Sequence, residues 1–210
     1  MVSTAPFDHV REFERAWADP RHTRIERPPV DINRVLAEHY KTSEPLTFTR
    51  TMLWDVEARK AWQPDVYIPS VVREGSARSW GRLPAGDGAE SFQRTSEQRQ
   101  WLARDVYRPV LELVRLDHKQ QKVTFIGAIE FSDSAGNVLH AGTHQPLFHV
   151  EHSVGGSETR PVNLWRIVHL TDRPNDVLRE QDNMRANEFV LPEFVEIYIR
   201  DVLGLCLTRL

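Results

Sequence analysis

Residues 122–170, KVTFIGAIEFSDSAGNVLHAGTHQPLFHVEHSVGGSETRPVNLWRIVHL, decide the fold class. Runs rich in Val, Ile, Phe, Trp and Leu alternate with SDSAGN (132–137) and SVGGSETRP (153–161), stretches whose Gly, Ser, Asp and Asn favour chain reversal. With DHKQQ (117–121) as a further turn, strands are predicted over 110–116, 122–131, 138–152 and 162–170. Consecutive strands joined by short reversals make an antiparallel meander.

Upstream, 74–82 and 90–96 flank the glycine-containing loop LPAGDGA and read as a hairpin. LTFTRTMLW (46–54) alternates Leu46, Phe48, Met52 and Trp54 against threonines and predicts another half-buried strand. The prolines of 55–72 suit short helical turns, and the Thr95 to Gln98 spacing suggests a capped helix over 95–107. At the N-terminus, helices are expected after Asp8 and Asp31. They belong to an appendage over 1–44 that packs on a single pocket domain over 45–210. At the other end, 173–187 and 191–207 read as helical, the latter with Phe194, Ile197, Tyr198, Val202 and Leu205 on one face.

The expected fold is α+β, a curved antiparallel sheet closed by a long C-terminal helix. Over residues 46–207 this order of elements resembles the helix-grip arrangement of START-like and plant-allergen-like proteins, in which the sheet and last helix surround an apolar cavity. The resemblance implies no residue roles. The alternative is an NTF2-like cone, which accounts better for the N-terminal helices and worse for the C-terminal one.

Of 210 residues, 40% are hydrophobic and 27% charged, an ordinary globular balance. A net charge of -3, with basic residues scattered among acidic ones, argues against a nucleic-acid partner. No window is apolar enough to span a membrane, and no apolar leader stands at the start, so a cytoplasmic location is expected. The lone Cys206 sits in an apolar segment and is expected to be buried. A homodimer is expected, because the appendage and Trp17, Trp54, Trp62, Trp80 and Trp101 offer more apolar surface than one core needs.

Side chains alternate along a strand, so parity assigns the pocket face. If 138–152 runs unbroken, His140, His144, Phe148, Val150 and His152 share one side. Symmetric turns pair Phe131 with Val138, Phe125 with His144 and Ile129 with His140. They also pair His152 with Pro161, Phe148 with Trp165 and His144 with His169. One face then gathers Phe125, Ile129, Phe131, Phe148, Trp165, Ile167 and Asn163 around the histidines. An apolar wall with a few convergent polar groups is the usual make-up of a small-molecule pocket. His144, His169 and His152 are the candidate catalytic residues, and Phe125, Phe148, Asn163, Trp165 and His140 the candidate substrate contacts. A bulge at Pro146 would instead turn His149 and Glu151 inward.

His140 and His144, about 13 Å apart along a strand, cannot share a metal ion. A His144 and His169 pair would need a third ligand from Glu188, Glu193 or Glu196, and no H-E-x-x-H spacing is present, so no metal is expected. The absence of G-x-G-x-x-G, G-x-x-x-x-G-K-[ST] and G-x-S-x-G spacings likewise gives no cofactor to expect. The expected function is acid-base chemistry on a small hydrophobic, aromatic or polyketide-like compound: isomerisation, dehydration, cyclisation or hydrolysis. The alternatives are a non-catalytic hydrophobic-ligand binder, a zinc-dependent hydrolase, or an interaction protein anchored by its tryptophans.

Overall fold

Two tight reversals set the sheet: Asp117 pairs with Lys122, and Ser157 pairs with Arg160. A computed structural model describes residues 7–103, 105–142, 145–188 and 190–210. The chain runs α1 (His9–Ala18), β1 (Thr23–Glu26), β2 (Val30–Asp31), α2 (Ile32–His39), β3 (Tyr40–Thr42), α3 (Arg50–Trp62) and α4 (Pro64–Tyr67). Then come β4 (Arg78–Pro84), β5 (Ala89–Arg99), β6 (Tyr107–Asp117), β7 (Lys122–Ala128), β8 (Glu130–Ser132), β9 (Val138–His140), β10 (Phe148–Ser157) and β11 (Arg160–His169). The last elements are α5 (Asp176–Glu188), α6 (Glu193–Ile197), a π-helical turn (Tyr198–Val202) and β12 (Leu207–Arg209).

The main sheet has eight strands in the order β1-β11-β10-β7-β6-β5-β4, with β2 also pairing β11, and all its pairs are antiparallel. It does not close, since β1 and β4 end the path. The fold is therefore α+β with a helix-grip order: β1 beside β11, then α2, α3 and α4, a meander, and terminal helices.

Cross-strand rows define the two faces. In one row Leu113, Ile126, His149 and Val168 lie side by side, and α1 covers them with Phe13 and Ala16. In the adjacent row Val114, Phe125, Val150 and Ile167 point the other way, toward α3 and α6. Burial of Phe48, Leu53, Val56, Phe194, Val195, Tyr198 and Ile199, together with Ile32, Val35 and Leu36 of α2, binds α2, α3 and α6 into one apolar cluster.

Several expectations are corrected. The stretch 46–54 holds no strand: Thr49 caps α3 by accepting the Met52 N–H at 3.0 Å, and the buried residues follow the helical spacing Leu53, Val56, Glu57, Lys60, Ala61. The expected helix over 95–107 is strand up to Arg99, because β5 pairs with β6 along its whole length. The C-terminal helix is short: α6 passes straight into the π turn, leaving Val202 exposed, and α3 shares the task of covering the sheet. Cys206 is exposed, because the chain has left the helix and pairs β12 with β3 at the surface.

In place of the strand expected over 138–152 stand two, β9 and β10, and Pro146 lies just before the second. β8 and β9 make a separate hairpin in which Phe131 faces Leu139, one residue off the symmetric turn, so Ile129 and His140 are exposed rather than inward. In β10, His152 faces Trp165 instead of Pro161, and Phe125 faces Val150 instead of His144. Both slips are even, so the side-chain faces survive: Phe148, Val150 and His152 point one way, His149 and Glu151 the other.

Where β7 meets the start of β10, Gly127 has no room for a side chain: a Cβ there would lie 2.4 Å from the Phe148 carbonyl oxygen. Gly127→Ala is expected to destabilise the fold by about 1–3 kcal/mol through forced displacement of that backbone. Urea unfolding measures this, and an unchanged midpoint would mean that β10 yields freely there.

Candidate ligand cavity

The helical stripe of α3 carries two charges among its apolar residues. Glu57 and Lys60, one turn apart, are 1% and 2% exposed, and Lys60 Nζ lies 2.6 Å from Glu57 Oε2. Across from them stands His152 of β10. Its Nδ1 is 2.9 Å from Lys60 Nζ and 3.2 Å from Glu57 Oε2. Asn163 of β11 donates to Glu57 Oε1 at 2.8 Å, so both carboxylate oxygens are engaged.

Aromatic rings enclose this cluster. The His152 imidazole stacks on Trp165 at 4.5 Å between centroids, 9° from parallel, and Trp165 in turn stacks on Phe194 at 6.1 Å. Phe125 meets His152 edge-on, and Lys60 Nζ sits 3.8 Å from the centre of the Phe194 ring. A third donor of the ammonium thus faces a π-system.

Electrostatics follow from this burial. Desolvation opposes charge on Glu57, yet Lys60 and His152 outweigh it and hold the carboxyl down at about 2. Burial lowers Lys60 to about 8 against the pull of Glu57. His152 is pushed down to about 4 by burial and by the neighbouring ammonium. Near neutral pH the cluster is therefore a carboxylate, a mostly protonated amine poised close to its titration, and a neutral imidazole.

Lys60, His152 and Asn163 border a cavity of about 660 Å³ between the sheet and the helices. Phe125, Phe148, Val150, Trp165, Ile167 and Phe194 supply much of its apolar wall. A second polar group lies on β5 and β6: Arg94 Nε is 2.7 Å from Glu112 Oε2, and Arg94 Nη1 donates to the Ala61 carbonyl at the end of α3. Arg27 lies over the Trp165 ring and pairs with Asp182 of α5, linking that helix to the cavity wall. The Ser70 hydroxyl donates to Glu193 Oε2 at 2.5 Å.

Of the side chains singled out from the sequence, His152, Phe125, Phe148, Asn163 and Trp165 line the cavity. His169 is on the same side of β11 but is wholly buried beneath Trp101 and Phe148, whose rings lie 5.2 and 5.6 Å from it, and it is not part of the lining. His140 is exposed on the β8–β9 hairpin, 3.4 Å from Glu130, and takes no part. His144 lies outside the described residues. His149 and Glu151 sit under α1, where Glu151 binds Arg166 and Lys122. Among the described residues no group of three or more metal-ligating side chains comes together.

Sequence reasoning missed Glu57, Lys60, Arg94 and Glu112. The available signal was the Thr49 cap followed by an i, i+3, i+4, i+7, i+8 pattern, in which an acid and a base one turn apart occupy apolar positions.

No protein-family model matches the sequence, and no curated protein matches it either. Solved structures with a similar outline include the Zhui aromatase/cyclase from a Streptomyces species, 12% identical over 86% of this chain and 96% of that one, with a TM-score of 0.48. A structure from Thermus thermophilus is 11% identical over 87% and 97%, TM-score 0.49. A START superfamily protein from Mycobacterium smegmatis is 9% identical over 78% and 99%, TM-score 0.44. Likeness at this level says nothing about what this chain binds. Its cavity has to speak for it.

Proposed function

We propose that this chain is a small-molecule enzyme that performs acid-base chemistry on an aromatic or polyketide-like compound held in the cavity, with His152 acting on a ligand oxygen. The observation that carries the reading is the 2.9 Å contact between Lys60 Nζ and His152 Nδ1. An ammonium only donates, and it lies nearer to Nδ1 than the Glu57 carboxylate, which only accepts, so Nδ1 is taken as the acceptor and the ring proton is placed on Nε2. Nε2 has no hydrogen-bond partner among the described residues and is not sealed off, which leaves it to donate to a ligand carbonyl or phenolate. As an α C–H proton of the ligand passes to solvent water and negative charge grows on that oxygen, the Nε2 proton shifts toward it and Nδ1 draws a proton from Lys60. Glu57 stays ionised and holds Lys60 in place. In this reading His152 serves as a hydrogen-bond donor and acid.

The probe is 2-tetralone, a flat ketone, whose α-hydrogens exchange in D₂O when the carbonyl is polarised. The protein is expected to accelerate that exchange, followed by NMR, and His152→Ala to lower the acceleration by about 10²-fold while binding persists. A second reading, a non-catalytic binder, is favoured by the way Arg27, Lys60 and Arg94 are already neutralised by carboxylates. Saturable binding with exchange no faster than in buffer would select it. No binding at all would remove both.

A further inference from the structure

The cavity holds one acid whose partners are of a different kind. Glu112 faces Arg94, and Glu57 faces Lys60, so each is neutralised by a cation. Glu193, on the first turn of α6, also lines the cavity, but among the described residues no cation pairs with it. Arg99, whose charge acts on it from a distance, gives its Nε to the Tyr107 hydroxyl at 3.0 Å.

The Glu193 carboxyl is nevertheless fixed. Its Oε2 accepts the Ser70 hydroxyl at 2.5 Å and the Ser70 backbone N–H at 3.3 Å. Both bonds fall on the same oxygen, so among the described residues Oε1 is left without a partner, and it is not sealed off. Burial raises its pKa above the ordinary value, which marks a desolvated site for the charge. An oriented, half-buried carboxyl with one idle oxygen on a cavity wall is costly unless something donates to it.

We infer that Glu193 is a second polar anchor of the cavity, accepting a hydroxyl proton of the ligand through Oε1, and that the ligand is a polyhydroxylated aromatic with oxygens on two separate edges. The inference rests on the cavity reading given above. His152, held by Lys60 and Glu57, serves one oxygen, and Glu193, held by Ser70, serves another. The ring of Phe194, the residue after Glu193, adjoins both Lys60 and Trp165, so α6 carries Glu193 next to the wall of the first station. An anionic substituent at the Glu193 end is disfavoured by the carboxyl itself.

The test is calorimetric titration of the full chain with 2-naphthol and with 2,6-dihydroxynaphthalene. The diol is expected to bind at least about 10-fold more tightly than the mono-ol, since a hydrogen bond to a charged group outweighs an ordinary one. Glu193→Leu should abolish that advantage. Ser70→Ala, which frees the carboxyl to turn, should reduce the advantage in part, and a thermal melt confirms that each variant is folded. Equal affinity of the two naphthols for the wild-type protein, with both binding, overturns the role of Glu193 and leaves the cavity reading intact. Failure of both to bind overturns the two together. A diol advantage that survives Glu193→Leu places the second anchor elsewhere and refutes the assignment.

Discussion

Lys60→Met is expected to destabilise the protein by about 3–5 kcal/mol, the usual loss when one member of a buried ion pair is removed. The substitution keeps the bulk of the side chain but strands the Glu57 carboxylate, 1% exposed, with Asn163 and a neutral imidazole for company. In a chain of this size each kcal/mol lowers the melting temperature by roughly 2–4 °C, so a drop of about 6–20 °C should be visible by circular dichroism. Adding Glu57→Gln to Lys60→Met should recover most of the loss, because no unpaired charge remains. A double-mutant cycle between the two positions reads their coupling. A single Lys60→Met variant that loses less than about 1 kcal/mol would mean that Glu57 does not depend on the amine.

Acidification provides the second large effect. His9 and His152 are both held down at about 4 by burial, against an ordinary 6.5. Their folded values lie below the unfolded one, so between pH 6.5 and about 4 the unfolded chain binds more protons and stability falls with pH. A tenfold difference in proton affinity between the folded and unfolded chain is worth about 1.4 kcal/mol, so each imidazole contributes a loss of about 3 kcal/mol, complete by about pH 4. His149, also lowered by burial, adds in the same direction. Glu57, at about 2 when folded and 4.5 when unfolded, extends the loss from pH 4.5 down toward 2. Urea midpoints measured from pH 7.5 to 4 should therefore decline steeply. His9→Gln, on α1 and remote from the cavity, should flatten part of the decline. A flat profile across that window would show that these imidazoles are already protonated in the folded chain.

The residues that make the cavity polar also explain which parts of the fold were legible in the sequence. The meander from β6 to β11 could be read because its turns are chemically marked and because its inward residues, Val114, Phe125, Val150 and Ile167, are apolar. The even slips in register did no harm to the faces, so Phe125, Phe148, His152 and Trp165 could be grouped from parity alone. The helix α3 was hidden because two of its five buried positions are Glu57 and Lys60, which cancel its apolar stripe, while Leu46, Phe48, Met52 and Trp54 happen to alternate. β5 was read as far as Ser96, within the hairpin of 74–82 and 90–96, and only its end to Arg99 was lost, because the Thr95 to Gln98 spacing imitates a helix cap. His140 was misplaced by one residue of turn geometry, and His169 by Trp101, a ring whose covering position no local pattern reveals.

The pairing of β1 with β11 has a consequence for how the chain comes into being. Thr23, on the first strand of the chain, finds its partner His169 only after most of the polypeptide has been made. A contact of that sequence separation carries a large loop-closure entropy and is made late, whatever the stability of the finished sheet. On the ribosome, the β6–β7 and β10–β11 hairpins can form as they emerge. The β11 edge is completed only when the N-terminal segment returns to it. Until then β11 presents an open edge, and a nascent chain stalled at this stage is the species most exposed to misassociation with its neighbours.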